Sequence, residues 1–321
     1  MDKLSEEPLD PILKKLAEGK KRGDEKRASD PKLVAEYISD ALEQKKPKSK
    51  TTDQQQSFLF PDNYYGTQIS AVPTEIAQSA VFRVSKTGTE RTHFTKATTI
   101  AVMGDRRMMY TGPELDQADA DVWLQAIKMV KGKPMGEAYG VEIKMNSFLH
   151  SIGRNSIGSS QYNWLKESLE RLTQSKLYLE NEETIGSEKF EASSYSLLDY
   201  DIKGDSLVLW IPERSYSLFK NLSYVDWERR FQLQKRVDLS KAIQLYASSN
   251  QRGRKRSVDL DDLRQVVGYS SPLHKFRVAV EDALAELERV GILENTWLKK
   301  DEMTGKWRCG WYLPDMKEDS L

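Results

Sequence analysis

One internal repetition limits the folds open to this chain. Ile143, Met145, Phe148, Ile152, Gly153, Leu165, Leu169, Leu172 and Leu177 recur, at a constant offset of 115 residues, as Val258, Leu260, Leu263, Val267, Gly268, Val280, Leu284, Leu287 and Ile292. Nine apolar or glycine positions kept in register without a gap argue for one structural unit used twice. Each copy predicts a short strand, a short helix ending at the glycine, a longer helix and another strand. In the longer helix the apolar residues fall at spacings of four and three, which is one face of an α-helix. Gly153 and Gly268 stand where a helix terminus takes a left-handed residue. A short helix, a turn and a longer helix make a helix-turn-helix, and strands on either side make it a winged helix. Two such units suit a protein that lies along DNA and reads two stretches of groove. On pattern alone, two helical hairpins with no DNA role remain the competing interpretation.

The expected fold class is α+β: two tandem winged-helix domains, 63–224 and 225–321, behind a flexible, partly helical N-terminal extension, 1–62. In the extension, Asp10-Pro11 and Asp30-Pro31 each read as N-cap plus first helical residue. Leu33, Val34, Tyr37, Ile38, Ala41 and Leu42 then form an amphipathic stripe. A polar linker ends at Gln56-Ser57-Phe58-Leu59-Phe60, an apolar triplet of the kind that docks on a partner or anchors to a core. Residues 64–112 read as a loop-rich β region. Leu115–Lys131 reads as the first helix of the first domain, with Asp116, Asp119 and Asp121 in its first half, where the macrodipole favours acids. The long helix of the first copy spans Ser159–Gln174. The alternating stretches 178–183, 195–200 and 206–211 predict a β-meander that forms the first wing. Pro212–Val237 is a partly helical connector that packs the domains together, and Leu239–Ser249 opens the second domain. A basic turn (Arg252, Arg254, Lys255, Arg256) precedes the second copy, and Trp297–Lys300 with Lys306–Leu313 makes a hairpin, the second wing.

Off the apolar stripe, the first long helix begins with Ser159, Ser160, Gln161, Asn163 and Lys166. Ser and Lys suit phosphates, while Gln and Asn can pair bidentately with adenine. The second long helix holds His274, Lys275, Arg277 and Val278 in the same slots, where Arg and Lys suit guanine or phosphate. With Arg252, Arg254, Lys255 and Arg256 and the wing residues Lys299, Lys300 and Lys306, these form a basic rim around the second reading helix. A solvated helix start and a solvated loop are the bland alternatives. Lys plus Arg number 49 and Asp plus Glu 49, so these local clusters rather than the zero net charge carry the electrostatic footprint.

Enzymatic chemistry is poorly supported. No phosphate-binding loop of the Gly-x-x-x-x-Gly-Lys type occurs, and His93, His150 and His274 lie far apart. The lone Cys309 builds neither a disulfide nor a zinc site, which fits a reducing cytoplasm, and no apolar run approaches a membrane span. Asp119 and Asp121 could be imagined as metal carboxylates, but acids at a helix start explain them more simply. No catalytic residue, metal or cofactor is expected.

Four stretches carry a family likeness: Tyr110-Thr111-Gly112-Pro113-Glu114-Leu115 with Asp121-Val122-Trp123; Pro134-Met135-Gly136-Glu137; Gly158 to Leu172; and Lys275-Phe276-Arg277 with Ala283-Leu284-Ala285-Glu286-Leu287. At these residues the chain resembles the TrfA-type plasmid replication initiators. Gln56, Phe58, Leu59 and Phe60 also resemble the Gln-x-x-Leu-Phe peptide that binds the bacterial sliding clamp, and they lie in the family's place. Ser57-Phe58 and the composition of residues 1–50 depart from the family. The resemblance implies an initiator that binds double-stranded origin repeats (iterons) and opens an adjacent AT-rich segment, contacting its single strands. It would recruit replicative helicase, host initiator and sliding clamp, act as a monomer and hold a homodimer in reserve. Such a protein works in the bacterial cytoplasm on plasmid DNA, away from membranes. A winged-helix transcriptional regulator without a replication role is the alternative.

Overall fold

The computed structural model describes residues 69–315, apart from 86–89, 104–105, 131–133, 136–137, 156–157, 181–183, 186–187 and 190–192. The expected helices of the extension and the peptide Gln56–Phe60 lie outside the described residues. The described chain begins with β1 (Ile69–Pro73), the single turn α1 (Thr74–Ala77) and the short β2 (Phe82–Arg83). A long hairpin follows, β3 (His93–Met103) and β4 (Arg106–Pro113), then β5 (Leu115–Asp116) and α2 (Gln117–Val130). With α2, the first repeated unit comprises β6 (Pro134–Met135), β7 (Ala138–Lys144), α3 (Met145–Ser151) and α4 (Ser159–Gln174). After it come β8 (Lys176–Leu179), β9 (Thr184–Ile185), β10 (Glu188–Lys189), β11 (Ser193–Ser196), β12 (Asp199–Lys203) and β13 (Ser206–Ile211). A 3-10 segment (Glu213–Lys220), β14 (Leu222–Asp226) and α5 (Trp227–Arg230) form the connector. The second unit is α6 (Val237–Ser248), β15 (Arg254–Asp259), α7 (Leu260–Val266), α8 (Leu273–Arg289), β16 (Glu294–Lys300) and β17 (Trp307–Leu313).

The 115-residue offset survives folding: adding it to the bounds of α3 gives those of α7. The sheets match as well. Strand order β7-β13-β12 in the first unit corresponds to β15-β17-β16 in the second. Both turns close alike. Gly153 (φ +78°) donates to the His150 carbonyl and Arg154 to that of Leu149; Gly268 (φ +63°) donates to Gln265 and Tyr269 to Arg264. This is the Schellman closure, which needs a left-handed residue where glycine stands. Each repeat then buries the face that its periodicity marked. Leu165, Leu169 and Leu172 enter the core of the first unit with Trp123, Leu124, Ile127, Leu207 and Leu209. Val280, Leu284 and Leu287 enter that of the second with Phe276, Ile243 and Trp311.

Four expectations are corrected. The described part of 64–112 is mostly strand, the long β3–β4 hairpin above all, rather than loop-rich, because β-branched residues such as Thr95, Thr98, Thr99, Ile100 and Val102 suit a pleated strand. Helix α2 starts at Gln117, not Leu115. Leu115 and Asp116 pair in parallel with Phe82 and Arg83, and the Asp116 carboxylate accepts from the N–H groups of Ala118 and Asp119 as a cap. The expected three-part meander belongs to two sheets. β8 and β11 join β4 and β3, drawn there where the Tyr110 hydroxyl meets that of Ser175 at 2.6 Å, and only β12–β13 forms the wing on β7. The basic turn after α6 is for the most part a strand, since Arg254–Arg256 pair with Trp311–Leu313.

The connector does pack the two units together. β14 pairs antiparallel with β1, and the Val84 N–H donates to the Val267 carbonyl in the turn of the second unit. Each turn glycine is also approached from outside its own helix pair. A Cβ at Gly153 would lie 3.2 Å from Cδ1 of Phe231 in the connector, and one at Gly268 would lie 2.8 Å from Cγ of Arg83. The left-handed backbone costs an alanine about 1–2 kcal/mol at either site. At Gly268 the stem of Arg83 must also move, adding about 1–3 kcal/mol of overpacking. Gly268→Ala is therefore expected to unfold at distinctly lower urea than Gly153→Ala; equal midpoints would contradict the close approach of Arg83.

Glu286 on α8 ties the connector down. Its carboxylate accepts from the Gln234 N–H at 2.5 Å and from Arg289 at 2.7 and 2.8 Å. The bonds from Arg289, ahead of the connector N–H groups, hold its pKa down at about 2. A depressed carboxyl contributes stability that is present above its unfolded value and is lost as pH falls through the folded one. Stability is thus expected to fall between about pH 5 and pH 2, and Glu286→Gln should flatten that slope in urea titrations.

Candidate nucleic-acid interface

On α4 the residues Ser159, Ser160, Asn163 and Lys166 are exposed, followed by Glu167 and Glu170. On α8 His274, Lys275 and Val278 are exposed, followed by Glu281 and Asp282. Both long helices thus present neutral or basic groups in their first turns and acids beyond. A duplex carries phosphate on every side of its groove, so it favours the first turns and opposes deeper contact with the second halves.

Gln161 is half-buried, and its Oε1 accepts from Arg154 at 2.6 Å. The Arg154 guanidinium lies 3.3 Å above the Trp164 ring, and burial lowers its pKa from the ordinary value. Sequence reasoning missed Arg154. The signal for it is the repeat itself, because Arg154 occupies the slot of Tyr269, whose ring packs on Phe276 at 4.8 Å just as Arg154 packs on Gln161. This side chain fixes the start of α4 to its turn and occupies the Gln161 amide oxygen.

The second wing stands at the N-terminal end of α8. The Arg277 guanidinium, half-buried, lies 4.5 Å over the ring of Trp307, the first residue after the wing turn. The wing turn is rigid: the Asp301 carboxylate accepts from the N–H groups of Met303 and Thr304 and from the Thr304 hydroxyl. Lys299, Lys300 and Lys306 are exposed around it. Lys299 sits 5.0 Å from the Trp297 ring, and Lys306 lies 3.8 Å from Asp259, which also pairs with Arg308 at 3.1 Å. Arg277 thus links the start of α8, where His274 and Lys275 stand, to the wing turn.

Arg252, Arg254, Lys255 and Arg256 are not brought to the wing turn. Arg254–Arg256 pair with Trp311–Leu313, at the far end of β17 from the wing turn. At about 3.3 Å per residue, the six-residue step from Trp307 to Leu313 is about 20 Å. Arg254, Lys255 and Arg256 are exposed there, but Arg252 donates to the carbonyls of Pro314 and Tyr224. The expected rim around the reading helix is thus two separate basic groups. Sequence order hid this, because an antiparallel strand places its first residues beside the last residues of its partner.

The acids on α2 are consumed internally. Asp119 is fully buried and takes Arg91, Arg171 and the Ser168 hydroxyl; Asp121 takes Arg230 and Lys241. Burial pushes the Cys309 thiol up to about 12, which leaves it unreactive at neutral pH. Among the described residues no helix is long and apolar enough to cross a membrane, and no group of three His, Cys, Asp or Glu is placed to hold a metal.

Repeated helix-turn-helix units, each with a hairpin wing and an open reading helix, define a tandem winged-helix protein. Residues 25–307 match the family described as TrfA protein. The plasmid replication initiator protein TrfA of Escherichia coli is 25% identical over 277 residues, which span 84% of this chain and 70% of that protein. Domains 2 and 3 of RctB share the fold, with a TM-score of 0.51 at 14% identity over 76% of this chain and 99% of that one. The Pi initiator protein, solved in complex with iteron DNA, is more distant, with a TM-score of 0.45 at 14% identity over 65% of this chain and 98% of that one. The chain belongs to the TrfA family of plasmid replication initiators.

Proposed function

We propose that this chain starts plasmid replication by binding direct repeats at an origin, each winged helix taking one stretch of groove. The observation that supports this best is that both reading helices keep their first turns open while a shared connector joins the two units in a member of an initiator family. The same role includes opening of an adjacent AT-rich segment, recruitment of replicative helicase and host initiator, and docking of Gln56, Phe58, Leu59 and Phe60 on the sliding clamp. The active form is a monomer in the bacterial cytoplasm, with a homodimer held inactive.

Footprinting on the origin of the replicon that carries this chain should protect its direct repeats; an unprotected origin would end the proposal. Lys275→Ala should flatten the slope of log K against log salt by about 0.9 for each phosphate that is no longer neutralised. Lys255→Ala probes the other basic group in the same way. If only Lys255→Ala flattens the slope, the duplex runs along the far end of β17 instead. Clamp pull-down with Leu59→Ala and Phe60→Ala tests the peptide: unchanged capture removes it from the function. A transcriptional regulator would bind the same DNA yet fail to establish the plasmid when supplied in trans.

A further inference from the structure

Among the described residues, three large apolar side chains are at least half exposed: Val102, Val278 and Met303. Val278 is the one that stands on a helix, on the outward face of α8. Its surroundings change sign along the axis, with His274 and Lys275 one turn before it and Glu281 and Asp282 one turn after. Phosphates attract the first pair and repel the second. A duplex meeting this face therefore receives the first turns of α8, with Val278 at the innermost point of entry. The neighbouring Arg277 is held against Trp307 and does not take that place.

The first unit supports the same geometry. The residue 115 positions before Val278 is Asn163, exposed on α4 between Ser159-Ser160 and Glu167. The repeated fold thus sets one side chain from each copy at the same station on its reading face. One is an amide and the other a branched hydrocarbon. In the major groove an amide matches the acceptor and donor of adenine, whereas the one apolar group any base edge offers is the 5-methyl of thymine.

We propose, on the footing of the DNA-binding function above, that Val278 reads a thymine through its 5-methyl group. The second winged helix then takes part of its sequence preference from an apolar contact that the first does not make. A valine here excludes water from the methyl but offers nothing to a guanine or cytosine edge, so the preference is for a T·A pair at that position. Sites with cytosine there would lose the methyl and meet an unpaired amino group.

The test replaces the thymines of the wild-type footprint one at a time by uracil, which deletes the methyl and leaves every hydrogen-bonding group. Binding is read by fluorescence anisotropy of the labelled repeat with the full chain. One substitution in the half protected by the second unit should weaken wild-type binding about fourfold, the effect of exposing one buried methyl. Val278→Ala, which keeps one methyl closer to the backbone, should discriminate thymine from uracil less than the wild type does, and its exposed position leaves the core untouched. Uniform wild-type affinity across the uracil series overturns the proposal, as does a Val278→Ala chain that discriminates at that position as strongly as the wild type. Because the unmodified repeat is measured first, failure of DNA binding itself is seen separately from failure of the methyl contact.

Discussion

Arg230→Ala is expected to lower the free energy of unfolding by about 3–5 kcal/mol, among the largest losses any single side chain of this protein can give. The guanidinium is fully buried and has its donors engaged. It donates to the Asp121 carboxylate at 2.7 Å, the Gln117 amide oxygen at 2.9 Å, the Lys241 carbonyl at 3.0 Å and the Gln244 amide oxygen at 3.2 Å. Gln117 and Asp121 belong to α2 of the first unit, Lys241 and Gln244 to α6 of the second, so one side chain spans the joint. Removing it leaves the Asp121 carboxylate buried with Lys241 alone and strands two amide oxygens. The charge-free trio Arg230→Met, Asp121→Leu and Lys241→Met should cost less than Arg230→Ala, because it leaves no unpaired ion behind, whereas the first two alone would strand the Lys241 ammonium. Urea unfolding of the wild type, the single and the triple replacement decides the matter: a triple replacement as damaging as the single one would mean that the loss came from packing. The joint also sets the spacing of the reading helices. Arg230→Ala should therefore weaken binding to an intact repeat more than binding to a duplex carrying only one unit's half.

Much of this arrangement is legible in the order of residues alone. The repeat at 115 residues predicts two helix-turn-helix units, and the bounds Ser159–Gln174 expected for the first long helix are those observed. Such features are local: helical periodicity and a left-handed glycine are written within a dozen residues. What the sequence hides is pairing at a distance. Alternation along 176–211 tells which side chains face a core but not that β8 and β11 join β4 while β12 and β13 join β7. The basic residues 252–256 and 299–306 look like one rim for the same reason. Nor do the acids of α2 reveal their partners. Expected as helix-start charges, which Asp119 is in accepting from the Asp116 N–H, Asp119 and Asp121 serve also as the ion-pair anchors of Arg91, Arg171, Arg230 and Lys241, drawn from four other parts of the chain. The charge of a carboxylate is visible in a sequence, but the buried cation that neutralises it is not.

Asp119→Asn is expected to cost about 3 kcal/mol or more and to loosen the first reading helix in particular. The Asp119 carboxylate is wholly enclosed. It accepts from Arg171 at 2.8 Å, Arg91 at 2.9 Å, the Ser168 hydroxyl at 2.6 Å and the Asp116 N–H at 3.1 Å. An asparagine fills the same volume but carries no charge, and its N–H2 would meet groups of which the Ser168 hydroxyl alone can accept. Arg91 keeps a second partner, because Asp116 lies 2.5 Å away, and its side chain is partly hydrated. Arg171 has no such relief in the buried cluster, since its side chain is only 14% exposed. Arg171 and Ser168 both stand on α4, so the disturbance passes to the helix that carries Ser159, Ser160 and Asn163. The expected result is a chain that is destabilised in urea and whose footprint fades over the half of the repeat held by the first unit, while the half held by the second persists. Equal fading of both halves would place the anchor's effect on the joint rather than on α4. Loss of a magnesium-dependent cleavage in Asp119→Asn, with the footprint intact, would instead restore a metal role that the enclosed ion pairs argue against.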